Sequence, residues 1–511
     1  MDLGHYHLVG VAGVGMNPLA QALLAAGCEV SGSDRYLDTG QDLDVLPKIR
    51  HAGVRLVPQD GSGVAATARA VVVSTAIEAG NADLAAAARL GVPVVHRAEM
   101  LARLAEGREC IAVTGTSGKT TVTGMVGFLL EALGDDPTVV NGGIVVNWET
   151  PERIGNVRYS RYSRIGRSAR WVIEADESDR SLLRFRPDWA IITNMSADHF
   201  PLPETAALFA TFAAQVKHAT VGPWAKGEEP WRDFQPELSA EGSRFTWGGQ
   251  AFHLPLLGRH NAANALQAVM LCEQLGHPLD RVADALSGFR GIRRRLDVAG
   301  AANGVTVIDD YAHNPAKIRA AWEAVAPYHR RVLAVWRPHG FGPLSTLFED
   351  LKAVFREMAS GDSLPKVSHL APLPKGSDLR EGIPPSSLPK ASDLREGTRE
   401  DPAAYPPEGV EPSGGMAGVK PSGGAGGGAR LWLLPVYYVG GTPKGAATSD
   451  QLVGDLAREG VPIEVAPDYD AVVARIAVEA RPGDAVLIMG ARDPHLPALA
   501  RRILRAVAQA L

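Results

Sequence analysis

Cysteine is scarce in this chain: Cys28, Cys110 and Cys272 are the only three in 511 residues. They lie far apart and follow no metal-ligand spacing, so neither a disulfide framework nor a cysteine metal site is expected, and a reducing compartment fits. Also missing is any apolar run near the ~20 residues that a membrane helix needs. The N-terminus enters a strand-like run without a basic stretch or small-residue cleavage site, so no secretory signal is expected. There is no basic excess either, since 52 Lys and Arg face 57 Asp and Glu, a net charge of −5. A dedicated nucleic-acid binder would normally show the opposite balance. The expectation is a cytoplasmic protein that binds neither nucleic acid nor membrane, with no obligate protein partner evident.

What is present is α/β punctuation. Apolar runs at His7–Gly10, Ala70–Ser74, Cys110–Thr114, Trp171–Glu174, Trp189–Thr193 and Val332–Trp336 alternate with Ala- and Leu-rich helical stretches, the pattern of parallel sheets. At about 150 residues per domain the length allows three. The blocks are 1–107, opening on a glycine turn; 108–295, opening on a second one; and 296–511. The third is interrupted at about 360–430 by a Pro-, Gly- and Ser-dense segment carrying a duplication, LPKGSDLREG at 373–382 and LPKASDLREG at 388–397. Such a segment has too few apolar side chains to offset its ordering entropy and is expected to be a tolerated surface insertion.

The most informative stretch is Ile111-Ala-Val-Thr-Gly-Thr-Ser-Gly-Lys-Thr-Thr121, a strand feeding a glycine turn and a helix. Converging backbone N–H groups and a helix N-terminus suit phosphate, with Lys119 reaching the outer phosphates and the Thr120 hydroxyl placed for Mg²⁺. The full Walker spacing asks for glycine at position 113, where Val113 stands. Downstream, the strand 171–174 ends in Glu174, with Asp176 and Glu177 behind it, oxygen ligands of the kind Mg²⁺ prefers. A further strand ends at Asn194 and Asp198-His199, where His199 offers a second metal ligand or a structural histidine.

Taken together, GTSGKTT (115–121), EADESD (174–179), TN…DH (193–199), GRHNAAN (258–264), RRRLD (293–297) and DDYAHNP (309–315) resemble, in order and spacing, the Mur ligases, which build the peptide of the bacterial cell-wall precursor. The resemblance implies a three-domain α/β architecture: a Rossmann-like UDP-binding domain, a central P-loop ATPase domain and a C-terminal Rossmann-like domain. It implies ATP and Mg²⁺ as cofactors. ATP would phosphorylate a carboxylate of the nucleotide sugar, and an amine would displace the phosphate from that acyl phosphate. By resemblance, the ATP contacts are Gly115, Thr116, Ser117, Gly118, Lys119, Thr120, Thr121, the adenine readers Asn261 and Asn264, Arg294 or Arg295 at the γ-phosphate, and Asp310 with Tyr311 at the ribose. Thr120, Glu174 and His199 would hold metal, and Lys119, Glu174, His199 and His313 would form the catalytic set.

The opening glycines Gly10, Gly13 and Gly15 read G-x-x-G-x-G rather than the dinucleotide fingerprint G-x-G-x-x-G. Alone they would suggest a Rossmann oxidoreductase, but no hydride-transfer constellation follows and a dehydrogenase needs no second phosphate loop. The resemblance instead assigns Gly13, Gly15, Asp34, Ser74, Thr75, His96, Asn141 and Gly142 to the nucleotide sugar. Within the family it points to the members acting on UDP-N-acetylmuramate, with L-alanine as the favoured acceptor and a recycled tripeptide as the alternative. Ser117 stands where these members typically carry histidine, and Gly340 and Pro343 stand near arginines that resemble an anchor for the amino-acid carboxylate. Arg337 or His313 is the nearest alternative cation in the sequence.

Overall fold

The computed structural model describes residues 3–38, 45–149, 163–196, 200–222, 234–361, 428–437 and 447–510. Among these, no helix is long and apolar enough to cross a membrane.

Three parallel or mostly parallel sheets follow one another along the chain, as the strand–helix alternation leads one to expect. The first holds β1 (His5–Val9), β2 (Glu29–Ser33), β3 (Arg55–Val57), β4 (Ala70–Val73) and β5 (Val94–His96), ordered β3-β2-β1-β4-β5. The chain leaves β1 toward one edge and returns at β4 on its other side, which opens a crevice beyond the carboxyl ends of β1 and β4. The glycine turn 10–15 and the Ser74-Thr75 pair both fall there.

The second sheet holds β6 (Glu109–Thr114), β7 (Thr138–Val140), β8 (Ser163–Arg164), β9 (Arg170–Glu174), β10 (Trp189–Ile192) and β11 (Ala219–Val221), ordered β11-β10-β6-β9-β7-β8. β6 is central and buried on both faces. Cys110 and Ala112 join the core shared with the first sheet, and Ile111 and Val113 the core under the helices Lys119–Ala132 and Arg259–Gln274. Its period-2 alternation therefore separates two apolar faces rather than an apolar from a polar one. A small antiparallel sheet, β12 (Glu237–Ser239), β13 (Gly242–Trp247) and β14 (Gln250–Leu254), packs into the second of these cores through Phe245, Phe252 and Leu254.

The third sheet holds β15 (Asp297–Ala302), β16 (Val305–Asp310), β17 (Arg331–Trp336), β18 (Arg430–Leu433), β19 (Ile463–Val465) and β20 (Asp484–Met489), ordered β15-β16-β20-β17-β18-β19. β20 pairs in parallel with both β16 and β17, and all six of its residues are buried.

The repeat-bearing residues 362–427 lie outside the described residues. Their flanks do not: Ala429 N–H donates to the Met358 carbonyl at 2.8 Å, and Gly428 lies so close to the Ala359 carbonyl that a Cβ would sit 1.9 Å from its oxygen. Entry and exit are thus side by side, and a few residues suffice to join them. Replacing 362–427 by a short Gly/Ser linker is expected to leave activity within about twofold. A shorter loop would raise stability by about 2 kcal/mol through closure entropy. Thermal melting and phosphate release check this; insoluble or inactive protein would mean that the segment packs or binds.

Candidate active site

The phosphate loop is tied down from β10. Gly115 has φ +132°, and a Cβ there would lie 2.0 Å from Thr193 Oγ1, so only glycine lets the loop leave β6 at this point. The Asn194 side chain fastens the next turn. Its Oδ1 accepts from Thr116 Oγ1 at 2.7 Å and from Ser117 N–H at 2.9 Å, while its Nδ2 donates to the Ser117 carbonyl at 2.9 Å. Thr193 Oγ1 donates to the same carbonyl at 2.5 Å. Gly118, at φ +84°, starts the helix Lys119–Ala132. Asn264 lies behind it, with Oδ1 2.7 Å from where a Gly118 Cβ would stand. Asn261 is buried and gives its amide to the Leu257 carbonyl at 2.8 Å. Thr121 is buried on the helix's inner side.

Lys119 sits among carboxylates. Its Nζ donates to Glu177 Oε2 at 2.5 Å and to the Gly115 carbonyl at 2.9 Å, with Asp176 at 3.9 Å. Burial alone would lower its pKa, but Glu177, Asp176 and Glu174 together raise it above the usual lysine value, so the ammonium is charged. Burial raises Glu174 and Glu177 against the pull of Lys119. At Asp176, Lys119 and Arg97 outweigh burial and hold the carboxyl at about 2. Glu174 accepts from Thr120 Oγ1 at 3.1 Å and, on its other oxygen, from Gly142 N–H at 2.8 Å. Two hard oxygen donors in contact fit a Mg²⁺ site. No group of three or more His, Cys, Asp or Glu suited to a metal occurs among the described residues, so phosphate oxygens and water would complete the shell. His199 lies outside the described residues.

Glu174 and Thr120 open onto a cleft of about 620 Å³ between the three sheets. From the first sheet Gly13, Gly15, Asp34, Ser74 and Thr75 line it, and Asn141 and Gly142 line it from the second. Asp34 also pins the glycine turn, accepting from Ala12 N–H at 2.9 Å and Tyr36 N–H at 3.1 Å. His96 departs from expectation. Its Nδ1 accepts from Ala98 N–H at 3.3 Å as the cap of the helix Arg97–Ala105, and it is the next residue, Arg97, that lines the cleft. Burial, followed by Arg97, lowers the His96 pKa to about 4. The unfolded chain, with a histidine near 6.5, therefore binds the extra proton between pH 6.5 and 4. Stability from this group is complete above pH 6.5 and falls as the pH drops through that window, by roughly 3 kcal/mol at most. His96→Asn keeps a capping acceptor, and should flatten this part of a urea-unfolding pH profile; an unchanged slope would contradict the assignment.

From the third sheet come Arg294, Arg295 and Tyr311. Arg294 is a buried clamp rather than a free cation: it donates to the Gly490 carbonyl at 2.6 Å and lies 3.4 Å from Asp309. Burial, partly offset by Arg294, raises Asp309 to about 6. Arg295 lies over the Tyr311 ring, 4.7 Å from its centroid. Asp310 holds the following turn, accepting from Leu296 N–H at 2.7 Å and Ala312 N–H at 2.8 Å. His313 bonds the Tyr311 carbonyl through Nδ1 at 2.9 Å. A carbonyl only accepts, so Nδ1 carries the proton. Burial, Lys317 and His339 push the His313 pKa well below the imidazole norm, and the ring is neutral. Arg337 is engaged too, with Asp493 at 2.7 Å, the Tyr469 hydroxyl as a second partner, and the Tyr437 and Tyr469 rings each 5.1 Å from its guanidinium. Neither residue offered for the acceptor carboxylate is therefore an uncommitted cation. Sequence reasoning assigned no role to Thr193, Asn194 or Arg97; the Thr-Asn pair directly after β10 was the available signal for the first two.

Comparison with known proteins agrees along the chain. Family models match in three places: "Mur ligase family, catalytic domain" at residues 5–109, "Mur ligase middle domain" at 113–205 and "Mur ligase, glutamate ligase domain" at 294–373. A UDP-N-acetylmuramate–L-alanine ligase of Methylocella silvestris is 36% identical, over 70% of this chain and 81% of its own length. One of a Synechococcus strain is 37% identical, over 74% and 81%. Among solved structures, the UDP-N-acetylmuramate-alanine ligase of Thermotoga maritima superposes with a TM-score of 0.67 at 21% identity, covering 99% of this chain and 100% of that one. A murein peptide ligase of Psychrobacter arcticus gives 0.58 at 19%, covering 99% of both.

Proposed function

This chain belongs to the Mur ligase family of ATP-dependent ligases, and on that premise we propose that it joins L-alanine to UDP-N-acetylmuramate in peptidoglycan precursor synthesis. The observation that carries the reading is one cleft in which the Thr120–Glu174 pair faces the glycine turn of the first sheet. A nucleotide sugar lying on that turn would present its carboxylate to a triphosphate held on the loop 115–121.

The chemistry follows from what a carboxylate lacks. It is a poor acylating agent until oxygen is converted into a leaving group. Transfer of the γ-phosphoryl group to the lactyl carboxylate gives an acyl phosphate and ADP. The amine of alanine then adds to the acyl carbon, and the tetrahedral intermediate expels inorganic phosphate as the amine loses its proton. The protein's contribution is positioning and charge neutralisation. Lys119 would exchange Glu177 for phosphate oxygens, and the loop N–H groups would take others. Thr120 and Glu174 would hold Mg²⁺, which neutralises charge on the phosphates. We place the reaction in the cytoplasm, where ATP and nucleotide sugars are made; the three cysteines, all free and buried, are consistent with that compartment.

A second acceptor, a peptide recycled onto the same sugar nucleotide, is favoured by one observation. Gly340 stands near an expected arginine and has φ +152°, a conformation arginine would adopt only with strain. The test is phosphate release with UDP-N-acetylmuramate, ATP and Mg²⁺, with L-alanine, other single amino acids or the tripeptide as the acceptor. Stimulation by L-alanine supports the reading. Stimulation by the tripeptide alone replaces it with the recycling activity.

A further inference from the structure

Among the arginines that line the cleft is Arg97, to which neither the phosphate loop nor the expected nucleotide-sugar set gives a role. Arg97 is the first residue of the helix Arg97–Ala105, directly after His96. A cation in the first turn opposes the positive end of the helix macrodipole, so local helix preference does not explain it. Its guanidinium is laid against the glycine turn of the first sheet. A Cβ on Gly15 would lie 3.0 Å from Arg97 Nη1, 3.3 Å from its Cδ and 3.4 Å from its Cζ. Gly15 itself has φ −86°, which any residue adopts. Glycine at this position is therefore explained by room for the guanidinium rather than by the backbone.

Arg97 also differs from its neighbours in the cleft. Arg293 is paired with Glu149 at 2.7 Å and Asp297 at 3.1 Å, and Arg294 with Asp309 and the Gly490 carbonyl. The Arg97 side chain has neither a hydrogen bond nor an ion pair among the described residues; its charge is felt by Asp176 without contact. The helix Met16–Ala25 starts immediately after Gly15 with no acidic residue in its first turn and no side-chain cap. The Met16 and Asn17 N–H groups that open this helix already donate to the Gly13 carbonyl, at 3.0 and 2.8 Å, so the guanidinium is the charged donor beside the turn, a fork suited to paired phosphate oxygens.

We propose that Arg97 is a binding residue for the diphosphate of the nucleotide-sugar substrate, gripping it against the Gly13–Gly15 turn. This rests on reading that turn as the nucleotide-sugar site. Diphosphate, rather than sugar or base, is then what Arg97 recognises, and it belongs with substrate binding rather than with ATP.

The experiment compares full-length wild type with Arg97→Ala, Arg97→Lys and Gly15→Ala by calorimetric titration with UDP-N-acetylmuramate, UDP and uridine. Loss of a charge-assisted contact predicts at least about a tenfold weaker Kd of Arg97→Ala for the first two ligands, uridine staying within about twofold. Arg97→Lys should recover part of the affinity, and the KM for ATP should hardly move. A merely structural role would weaken uridine and UDP alike, and that outcome overturns the proposal. Should Arg97→Ala fail to fold, Gly15→Ala carries the test: it displaces the guanidinium and should weaken UDP several-fold, leaving uridine unchanged. If the wild type binds UDP-N-acetylmuramate and Arg97→Ala binds it equally, the proposal alone fails. If the wild type binds neither UDP-N-acetylmuramate nor UDP, the functional reading beneath it fails as well.

Discussion

Lys119→Ala is expected to lower ATP-dependent phosphate release at least about 10²- to 10³-fold, the usual cost of removing a preorganised charge from a transition state. Binding of UDP-N-acetylmuramate should stay within about threefold, because most of its expected contacts lie across the cleft on the first sheet. The substitution also exposes how the site is balanced. Glu177 is almost fully buried and loses its charged partner, while Asp176 loses the ammonium that keeps it ionised. Stranding a buried charge costs roughly 3–5 kcal/mol, reduced here to the extent that Glu177 takes up a proton. The variant should therefore be destabilised more at pH 8 than at pH 5, since protonation relieves the unpaired carboxylates at the lower pH. Calorimetry with the sugar nucleotide, phosphate-release kinetics and urea unfolding at the two pH values check the three parts. Equal loss of sugar-nucleotide affinity would show that Lys119 serves both substrates.

Gly115→Ala should be the most damaging single methyl in the second sheet. It must adopt φ +132° and place a Cβ 2.0 Å from Thr193 Oγ1 and 3.0 Å from Thr193 N. Backbone strain and overpacking together cost about 2–5 kcal/mol. The loop can relieve the clash only by moving away from β10, which breaks the Thr193 and Asn194 bonds to Ser117 and takes the phosphate N–H groups with it. Activity should fall with stability, by more than tenfold. Thr193→Ala removes the hydroxyl but not the backbone nitrogen, so the double variant should regain part of the stability that Gly115→Ala loses. Strict additivity in that double-mutant cycle would refute the contact.

Which parts of this site could be read from the sequence follows from the range of the contacts involved. The phosphate loop is local: strand, glycine turn, lysine, threonine and the start of the helix occupy eleven consecutive residues, so the pattern is legible within one stretch of sequence. The strands were legible for the same reason; β4, β6, β9, β10 and β17 differ from the apolar runs by at most a residue at either end. What escaped depends on partners far along the chain. Asn194 fastens a loop 77 residues upstream. Arg337 looks like a spare cation until β20, inserted beside β17, brings Asp493 to it across 156 positions. His96 and Arg97 are adjacent letters, and only the start of the helix at Arg97 decides which of them caps and which faces the cleft. Arg294 reads as a phosphate contact in a run of three arginines, whereas Asp309 and the Gly490 carbonyl have already claimed it.

The place of β20 between β16 and β17 has a consequence during translation. A ribosome delivers β16 and β17 early and β20 some 150 residues later, at roughly 5–20 residues per second a delay of several seconds to half a minute. For that interval the edges of β16 and β17 that β20 will join stay unpaired, and each presents a bare strand edge, the kind of surface on which nascent chains adhere to one another. The repeat-bearing segment lengthens the wait by its own length. A message truncated before codon 484 would yield a product whose first two sheets can form but whose third has an open slot at its centre. Such a fragment should appear in the aggregate fraction or bound to chaperones, and supplying the missing strand in trans as a peptide would have to reach a slot that is closed on both sides.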